Sequence, residues 1–109
     1  MIEEKIYRQL VDEVFHRIDA AFEEVDPDLA ESTSSQGTLT ILYDQKVRFI
    51  LSPQAPVRQI WAAFKDRAWH FDRDAQGTWL DDRGRGIELF QLVEDITREA
   101  VGQTVKIAR

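Results

Sequence analysis

One stretch near the N-terminus combines carboxylates and a histidine at helical spacing. Four residues follow one another at steps of four, three and four: Asp12, His16, Asp19 and Glu23. They share one face of a helix, and neighbouring members are close enough for two or three to contact one ion. Carboxylate oxygens and imidazole nitrogens suit hard or borderline cations such as iron, manganese, calcium and magnesium. The spacing therefore predicts a candidate metal site, with an ordinary solvated helix face as the alternative.

The negative charge extends beyond this face. Residues 12–31 contain eight acids against Arg17 alone, whereas the other residues contain twelve acids and thirteen basic residues. The excess behind the net charge of −6 therefore lies in one segment. Such a field attracts cations or basic protein surfaces and repels phosphate backbones, so we do not expect a nucleic-acid partner. The predicted metal ligands are Asp12, His16, Asp19, Glu23, Glu24, Asp26, Asp28 and Glu31.

No arrangement of residues predicts a catalytic site. The chain has no cysteine, which excludes disulfides, thiolate ligands and a cysteine nucleophile. The segments that begin at Asp26 and Asp72 both lack the closing glutamate of a calcium loop. No serine is combined with a histidine and an aspartate in a triad pattern. His70 is expected to be a structural residue of a strand, with a binding role as the alternative. We therefore expect a binding protein and not an enzyme.

Apolar periodicity predicts two amphipathic helices, one over residues 4–25 and one over residues 87–101. In the first, apolar side chains recur at three- and four-residue steps on the face opposite the acids. Pro27 and the acids around it are expected to end this helix, because proline cannot continue one. Gly102 is a natural stop for the second helix.

Between the helices the apolar pattern changes to that of strands. "TLTILY" and "KVRFIL", joined by "DQ", predict one hairpin, and "AWHFD" and "TWL", joined by "RDAQG", predict another. "ESTSSQG" predicts a polar loop, "SPQAP" a break, and "TVKI" a short tail that can lie back on the domain. The order predicts an α+β fold: one domain, residues 1–109, with two roughly parallel helices packed on one antiparallel β-sheet as a two-layer sandwich.

The segment "VRQIWAAF" fits either a helix or a strand. As a strand, it places Gln59 and Trp61 on one face and Ile60 on the other. The helices can cover only one face of a single sheet, so the opposite face would present an exposed tryptophan, a typical anchor for a protein partner. The alternative is that Trp61 lies in the core and Ile60 points outward.

The run "SPQAPVRQIWAAFKDRAWHFD" resembles the frataxin family in its bacterial form. Its Q-x-P-x-x-Q-I-W core is followed by an aromatic-His-Phe-Asp strand, a Thr-Trp hairpin and a helix that begins near "IELFQLVED". The similarity extends over nearly the whole chain, from "YRQLVDEVFHRID" to "GQTVKI". The resemblance implies two helices on one antiparallel sheet, with "VRQIWAAF" as a strand.

The resemblance also implies a function. Members of the family bind ferrous and ferric iron through exposed carboxylates and act in iron–sulfur cluster assembly, where they bind the cysteine desulfurase and its scaffold protein and modulate cluster synthesis. By position, the family's acidic ridge corresponds here to Asp12, Asp19, Glu23, Glu24, Asp26 and Asp28. The residues expected to contact protein partners are Gln54, Gln59 and Trp61, together with Glu23 and Glu24. The alternative is an acidic protein-interaction module whose metal binding is incidental.

Iron is expected to bind weakly and exchangeably, because open carboxylates on a helix do not enclose an ion. The N-terminal residues "MIEEKIYRQL" lack the apolar run of a signal peptide, and no stretch of 18 apolar residues occurs. We therefore expect a cytoplasmic protein that does not bind membranes. We also expect it to be a monomer.

Overall fold

The computed structural model describes residues 1–109 and contains one six-stranded antiparallel β-sheet with two helices. The strands lie in the sheet in the order in which they occur in the chain, and each is paired with the next. The helices are α1 (Glu4–Ala21) and α2 (Leu89–Val101), and the strands are β1 (Ala30–Ser35), β2 (Thr38–Tyr43), β3 (Val47–Gln54), β4 (Gln59–Phe64), β5 (Arg67–Arg73) and β6 (Trp79–Asp81). The predicted α+β fold is confirmed.

The core lies between the two helices and one face of the sheet. Strand side chains alternate between this inner face and the solvent, so Leu39, Ile41 and Tyr43 of β2 are buried together. From α1, Tyr7 packs into the same cluster, and its hydroxyl donates a hydrogen bond of 2.5 Å to the carbonyl of Gln59 in β4. The opposite face of the sheet has no helix over it, and we call it the outer face.

Helix α1 ends at Ala21, four residues earlier than predicted, so Pro27 is not what stops it. Phe22 is the C-cap, and the residues after it form turns. The last turn contains no basic residue. Carboxylates are unfavourable at this end of a helix, where the backbone carbonyls carry partial negative charge. Because the helix ends before Glu23 and Glu24, these two residues extend the acidic surface from the turn that follows it.

The segment predicted as a polar loop is in fact strand β1. Its residues pair with β2 in register from Ala30 opposite Tyr43 to Ser35 opposite Thr38. The two strands are joined by Gln36 and Gly37, which both have positive φ, as a tight two-residue hairpin requires. The prediction was wrong because β1 is a polar edge strand, in which only Ala30 is buried.

Strand β3 continues through the predicted break as far as Gln54, and Pro53 is paired with Ile60 of β4. The ambiguous segment is a strand from Gln59 to Phe64. A short 3₁₀ turn (Ala55–Val57) connects the two strands. The turn ends at Arg58, which adopts the left-handed conformation, with φ 53°.

The C-terminal tail lies back on the domain, as predicted. Val105 and Ile107 are buried in the core, and the buried carboxylate of Glu94 in α2 accepts hydrogen bonds from the backbone N–H of Ile107 (3.0 Å) and from Arg109 (2.7 Å). Burial alone would raise the pKa of Glu94, but these two hydrogen bonds and the positive charge of Arg109 lower it below its usual value. Neither helix is long and apolar enough to span a bilayer.

Candidate functional site

The acidic surface begins on the solvent side of α1. Asp12 and His16 are exposed, whereas the neighbouring Val11, Val14 and Phe15 are buried, so the predicted division of this helix into two faces is confirmed. Asp19 is half-buried and its carboxylate accepts a hydrogen bond from the hydroxyl of Ser32 in β1. Asp19 therefore has one oxygen engaged with the protein, while Asp12 and His16 face water.

The acids after α1 are held in a turn between the helix and the sheet. Glu23 and Glu24 are exposed. One Asp26 oxygen accepts from the backbone N–H of Asp28 at 2.9 Å, and one Asp28 oxygen accepts from the amide of Gln45 at 2.8 Å. These contacts fix the turn and leave the remaining carboxylate oxygens directed to solvent.

Glu31 lies on a different side of the domain from the α1 acids. Its neighbours in β1, Ala30 and Ser32, face inward, because Ala30 is buried and Ser32 contacts Asp19 of α1. By strand alternation Glu31 projects from the outer face, where it pairs with Leu42. The prediction grouped Glu31 with the other acids because it took "ESTSSQG" to be a polar loop that continues the negative segment past Pro27.

The eight predicted ligands are not gathered into one coordination site. No three histidine, aspartate or glutamate side chains lie where they could hold a metal ion together. Of the two predicted groupings, two or three donors around one ion, the group of three is not present in this conformation. What the arrangement offers instead is a row of separate, solvated carboxylates along α1 and the turn that follows.

The outer face of the sheet carries a second candidate site, centred on Trp61. Its side chain is on the outer face and is 37% exposed, whereas Ile60 is fully buried, so the alternative that places Trp61 in the core is excluded. The indole is stacked on the imidazole of His70, with a centroid separation of 4.2 Å and an interplanar angle of 15°. The indole N–H donates to the Gln59 side-chain oxygen at 2.8 Å.

Gln59 in turn connects the tryptophan to two carboxylates. Its amide nitrogen donates to Asp72 and to Asp82, at 3.1 Å in each case. The His70 ring nitrogen Nδ1 lies 3.5 Å from Asp82. The orientation of the Gln59 amide is fixed by these contacts, since only its nitrogen can donate to the carboxylates and only its oxygen can accept from the indole.

The register of the sheet places the other predicted partner residue beside this group. Gln54 is opposite Gln59, and Ser52 is opposite Trp61. The three predicted partner residues of the sheet (Gln54, Gln59 and Trp61) are therefore brought together on the outer face. Ile50, 38% exposed, extends the same face from β3.

Sequence reasoning missed His70, Asp72 and Asp82 as members of this surface. His70 is directly opposite Trp61 in the pairing of β4 with β5. The signal was available, because His70 and Asp72 alternate with the buried Trp69 and Phe71. Asp82 could not be placed from the sequence, because it follows β6 in an irregular loop.

The loop after β6 is organised by Asp81, a buried carboxylate. It accepts hydrogen bonds from the backbone N–H of Ile87 (2.9 Å), the backbone N–H of Arg85 (3.3 Å) and the Arg85 guanidinium (3.0 Å). Burial alone would raise the pKa of Asp81, but these bonds and the Arg85 charge lower it. The backbone N–H of Asp82 also donates to the His70 carbonyl at 2.8 Å. Asp82 is therefore held in place beside Gln59.

The chain is thus a small α+β domain with an acidic helix face and an uncovered sheet face. Residues 1–103 match the family model of the frataxin-like domain, and the chain belongs to this family.

Relatives from several bacteria are similar over most of their length. The chain is 37% identical over 101 residues to the iron-sulfur cluster assembly protein CyaY of Pseudomonas aeruginosa, with 92% of each chain covered. It is 32% identical over 101 residues to the protein of the same name from Azotobacter vinelandii, with 92% of this chain and 90% of the relative covered.

Solved structures share the fold. The frataxin of Psychromonas ingrahamii superimposes with a TM-score of 0.89 at 23% identity, covering 99% of this chain and all of that one. Trimeric yeast frataxin matches with a TM-score of 0.71 at 22% identity, covering 86% of this chain and 80% of that one.

Proposed function

We propose that this chain acts in iron–sulfur cluster assembly as an iron-binding regulator of the cysteine desulfurase and its scaffold protein, and that it is a cytoplasmic monomer. The proposal rests on membership of the frataxin-like family and on relatives whose names state a role in iron–sulfur cluster assembly. The structural observation that supports it most directly is the exposed Trp61 on a sheet face that no helix covers. An exposed aromatic side chain on such a face is typical of protein-binding surfaces.

In this proposal ferrous or ferric iron is a cargo held by the acids of α1 and the following turn. The candidate ligands are Asp12, His16, Asp19, Glu23, Glu24, Asp26 and Asp28. Because no three of them converge, each ion contacts one or two protein groups and keeps water as its other ligands. The affinity is therefore modest and the iron exchangeable.

The same acids also attract a basic protein surface. Residues 12–31 carry a large excess of negative charge, which steers an oppositely charged partner during encounter. Glu23 and Glu24 are exposed in the turn and are the residues we expect a basic patch of the desulfurase to contact. Iron and the desulfurase would then compete for the same carboxylates.

An anaerobic titration of ferrous iron into isotope-labelled protein tests the metal role. We expect amide signals of residues 12–31 to broaden or shift, and those of Gln54, Gln59 and Trp61 on the outer face to stay unchanged. The variant Glu23→Gln/Glu24→Gln should reduce the response, whereas the control Glu3→Gln/Glu4→Gln should not. Unmoved signals in residues 12–31, with desulfurase binding retained, would contradict iron binding and leave the interaction role intact.

The second candidate is an acidic protein-interaction module whose metal binding is incidental. The absence of any three-donor group favours it, as does the position of Glu31 on the outer face, away from the other acids. The two candidates differ in one measurable respect. If iron is a true cargo, ferrous iron should weaken desulfurase binding more than an equal concentration of magnesium does; if metal binding is incidental, the two divalent cations should weaken it equally at constant ionic strength.

A further inference from the structure

Two carboxylates beside Trp61 have no cationic partner of their own. Asp72 makes no ion pair, and the one charged-group neighbour of Asp82 is His70, at 3.5 Å. Instead, both carboxylates accept from the same neutral donor, the amide nitrogen of Gln59, at 3.1 Å. A single hydrogen-bond donor therefore occupies a position that is flanked on both sides by negative charge.

The position is built from fixed parts. Asp82 is held through its backbone N–H and through the loop that Asp81 organises. Gln59 is held by its second contact, in which its side-chain oxygen accepts from the indole of Trp61 at 2.8 Å. Asp72 belongs to strand β5, where it is paired with Leu80 of β6. The backbone of both carboxylate residues is therefore held on either side of the Gln59 amide.

A protein that covers Trp61 must also cover these carboxylates. Once water is removed, an unpaired carboxylate is costly unless an opposite charge with hydrogen-bond donors replaces the solvent. The neutral Gln59 amide provides two N–H donors and no charge. A partner with only apolar groups at this point would therefore bury two uncompensated negative charges.

We propose that the position between Asp72 and Asp82 receives an arginine side chain of the protein that docks on Trp61, and that the Gln59 amide occupies it in the free protein. This inference rests on the proposed function, since it specifies the chemistry of the partner at that surface. A guanidinium carries five N–H donors in a planar fork, so it can bond both carboxylates at once. A lysine ammonium is a compact, strongly hydrated charge that matches this pair of acceptors less well.

The arginine site is tested without any partner protein by titrating N-acetyl-arginine amide into the isotope-labelled chain. We expect saturable shifts of the Gln59 side-chain amide and of the Trp61 indole N–H. N-acetyl-citrulline amide, which has nearly the same shape but no charge, should cause none. The variant Asp72→Asn/Asp82→Asn should remove the response to arginine, and Asp66→Asn, an exposed acid with no hydrogen bond, should keep it. Equal responses to arginine and citrulline, or a full response in the double variant, would overturn the proposal.

Binding to the purified desulfurase–scaffold complex supplies the second measurement. A charge-assisted hydrogen bond contributes about 1.5–3 kcal/mol, so the double variant should bind roughly 10- to 150-fold more weakly, with Asp66→Asn unchanged. An unchanged affinity of the double variant would overturn the arginine site even if the complex binds. If the wild-type chain does not bind the complex, the proposed function fails, while the arginine titration still decides the site.

Discussion

The indole of Trp61 is stacked on the imidazole of His70 on the outer face of the sheet, and the two residues are directly opposite each other in paired strands. The stack is supported by the sheet on one side and open to solvent on the other. Trp61 is 37% exposed, whereas Trp69 and Trp79 are buried. The three tryptophans therefore differ in their access to solvent, which gives a direct optical test of the site.

We predict that acrylamide quenches the fluorescence of Trp61 and largely spares that of the other two tryptophans. In Trp61→Phe the quenchable fraction should disappear, and the remaining emission should lie at shorter wavelength, as expected for buried indoles. Trp69→Phe serves as the matched control and should leave the quenchable fraction in place. A quenchable fraction that survives in Trp61→Phe would show that the indole is not the accessible one.

Replacing Trp61 by arginine should separate binding from folding. The substitution removes the stack on His70, which contributes about 0.5–1.5 kcal/mol, and the hydrogen bond to Gln59, which contributes about 1 kcal/mol. The loss of unfolding free energy should therefore stay within about 1–3 kcal/mol. Binding to the desulfurase–scaffold complex should fall much further, because the anchor is lost and a fixed charge is placed on the outer face. Urea unfolding and a binding titration on the same preparation check both effects. A loss of several kcal/mol of stability would contradict the outer position of the side chain.

The buried hydroxyls of Tyr43 and Thr97 are hydrogen-bonded to each other. We predict that removing one of them lowers the unfolding free energy by a different amount from removing the other. Thr97 donates its single hydroxyl proton to the carbonyl of Val93 at 2.7 Å, so in the 2.7 Å contact between Tyr43 and Thr97 the tyrosine is the donor. Burial raises the pKa of Tyr43, so this hydroxyl stays protonated.

Tyr43→Phe removes a donor and leaves Thr97 bonded to Val93, so it should cost about 1 kcal/mol. Thr97→Val leaves the Tyr43 hydroxyl buried without an acceptor, so it should cost more, about 1–3 kcal/mol. Urea unfolding of the two variants and of the double variant gives the comparison. The double variant should be less destabilised than the sum of the single ones, since neither buried partner is then left alone. A larger cost for Tyr43→Phe would contradict the assigned direction of the bond.

The pattern of successes and errors in the sequence predictions has a physical basis. Helix α2 was predicted because apolar residues recur at helical spacing, and its stop was predicted because glycine is common at helix C-termini. Gly102 does adopt the left-handed conformation there, with φ 71°. The orientation of Trp61 stayed open because Ile60 and Trp61 are both apolar. Only the sheet register, which depends on residues distant in sequence, decides which of them faces the helices.

The acidic site was harder to predict for a different reason. Helical spacing correctly placed Asp12 and His16 on an exposed face, because that depends on local geometry alone. The pairing of β1 decides whether Asp19 has a hydrogen-bond partner and which face of the sheet Glu31 occupies. This polar strand has little apolar pattern by which the sequence could reveal it. The distribution of charge along the sequence shows which segment attracts cations. Whether its carboxylates come close enough to bind one ion together depends on the tertiary structure.

The contact between Glu94 and the C-terminal tail predicts an acid-sensitive contribution to stability. The folded-state pKa of Glu94 is lower than its value in the unfolded chain, so the carboxylate stabilises the fold at pH above about 4.5. This contribution is lost as the pH falls through the lower folded-state pKa, when the carboxylate becomes protonated. Urea unfolding between pH 7 and pH 3 should show the decline. Glu94→Gln should lower stability at pH 7 and flatten the profile, whereas the exposed control Asp66→Asn should follow the wild-type profile. A parallel decline in Glu94→Gln would assign the acid sensitivity to other groups.

The crowded acids of residues 12–31 predict that bound cations stabilise the fold. Like charges held close together repel one another, and an ion that binds the folded arrangement more tightly than the unfolded chain raises the unfolding free energy by linkage. Millimolar ferrous iron under anaerobic conditions should therefore raise the thermal midpoint of the wild-type protein more than potassium chloride of equal ionic strength. In Glu23→Gln/Glu24→Gln the midpoint without iron should be slightly higher, because repulsion at the end of α1 is relieved. The increment caused by iron should be smaller in this variant.

The control Glu3→Gln/Glu4→Gln lies at the start of α1, where carboxylates are favourable, so it should lower the starting midpoint and keep the full increment. An iron increment equal to that of potassium chloride in the wild type would mean that these acids act on cations only as a diffuse field, and the proposed binding of iron by the acids of α1 and the following turn would have to be abandoned.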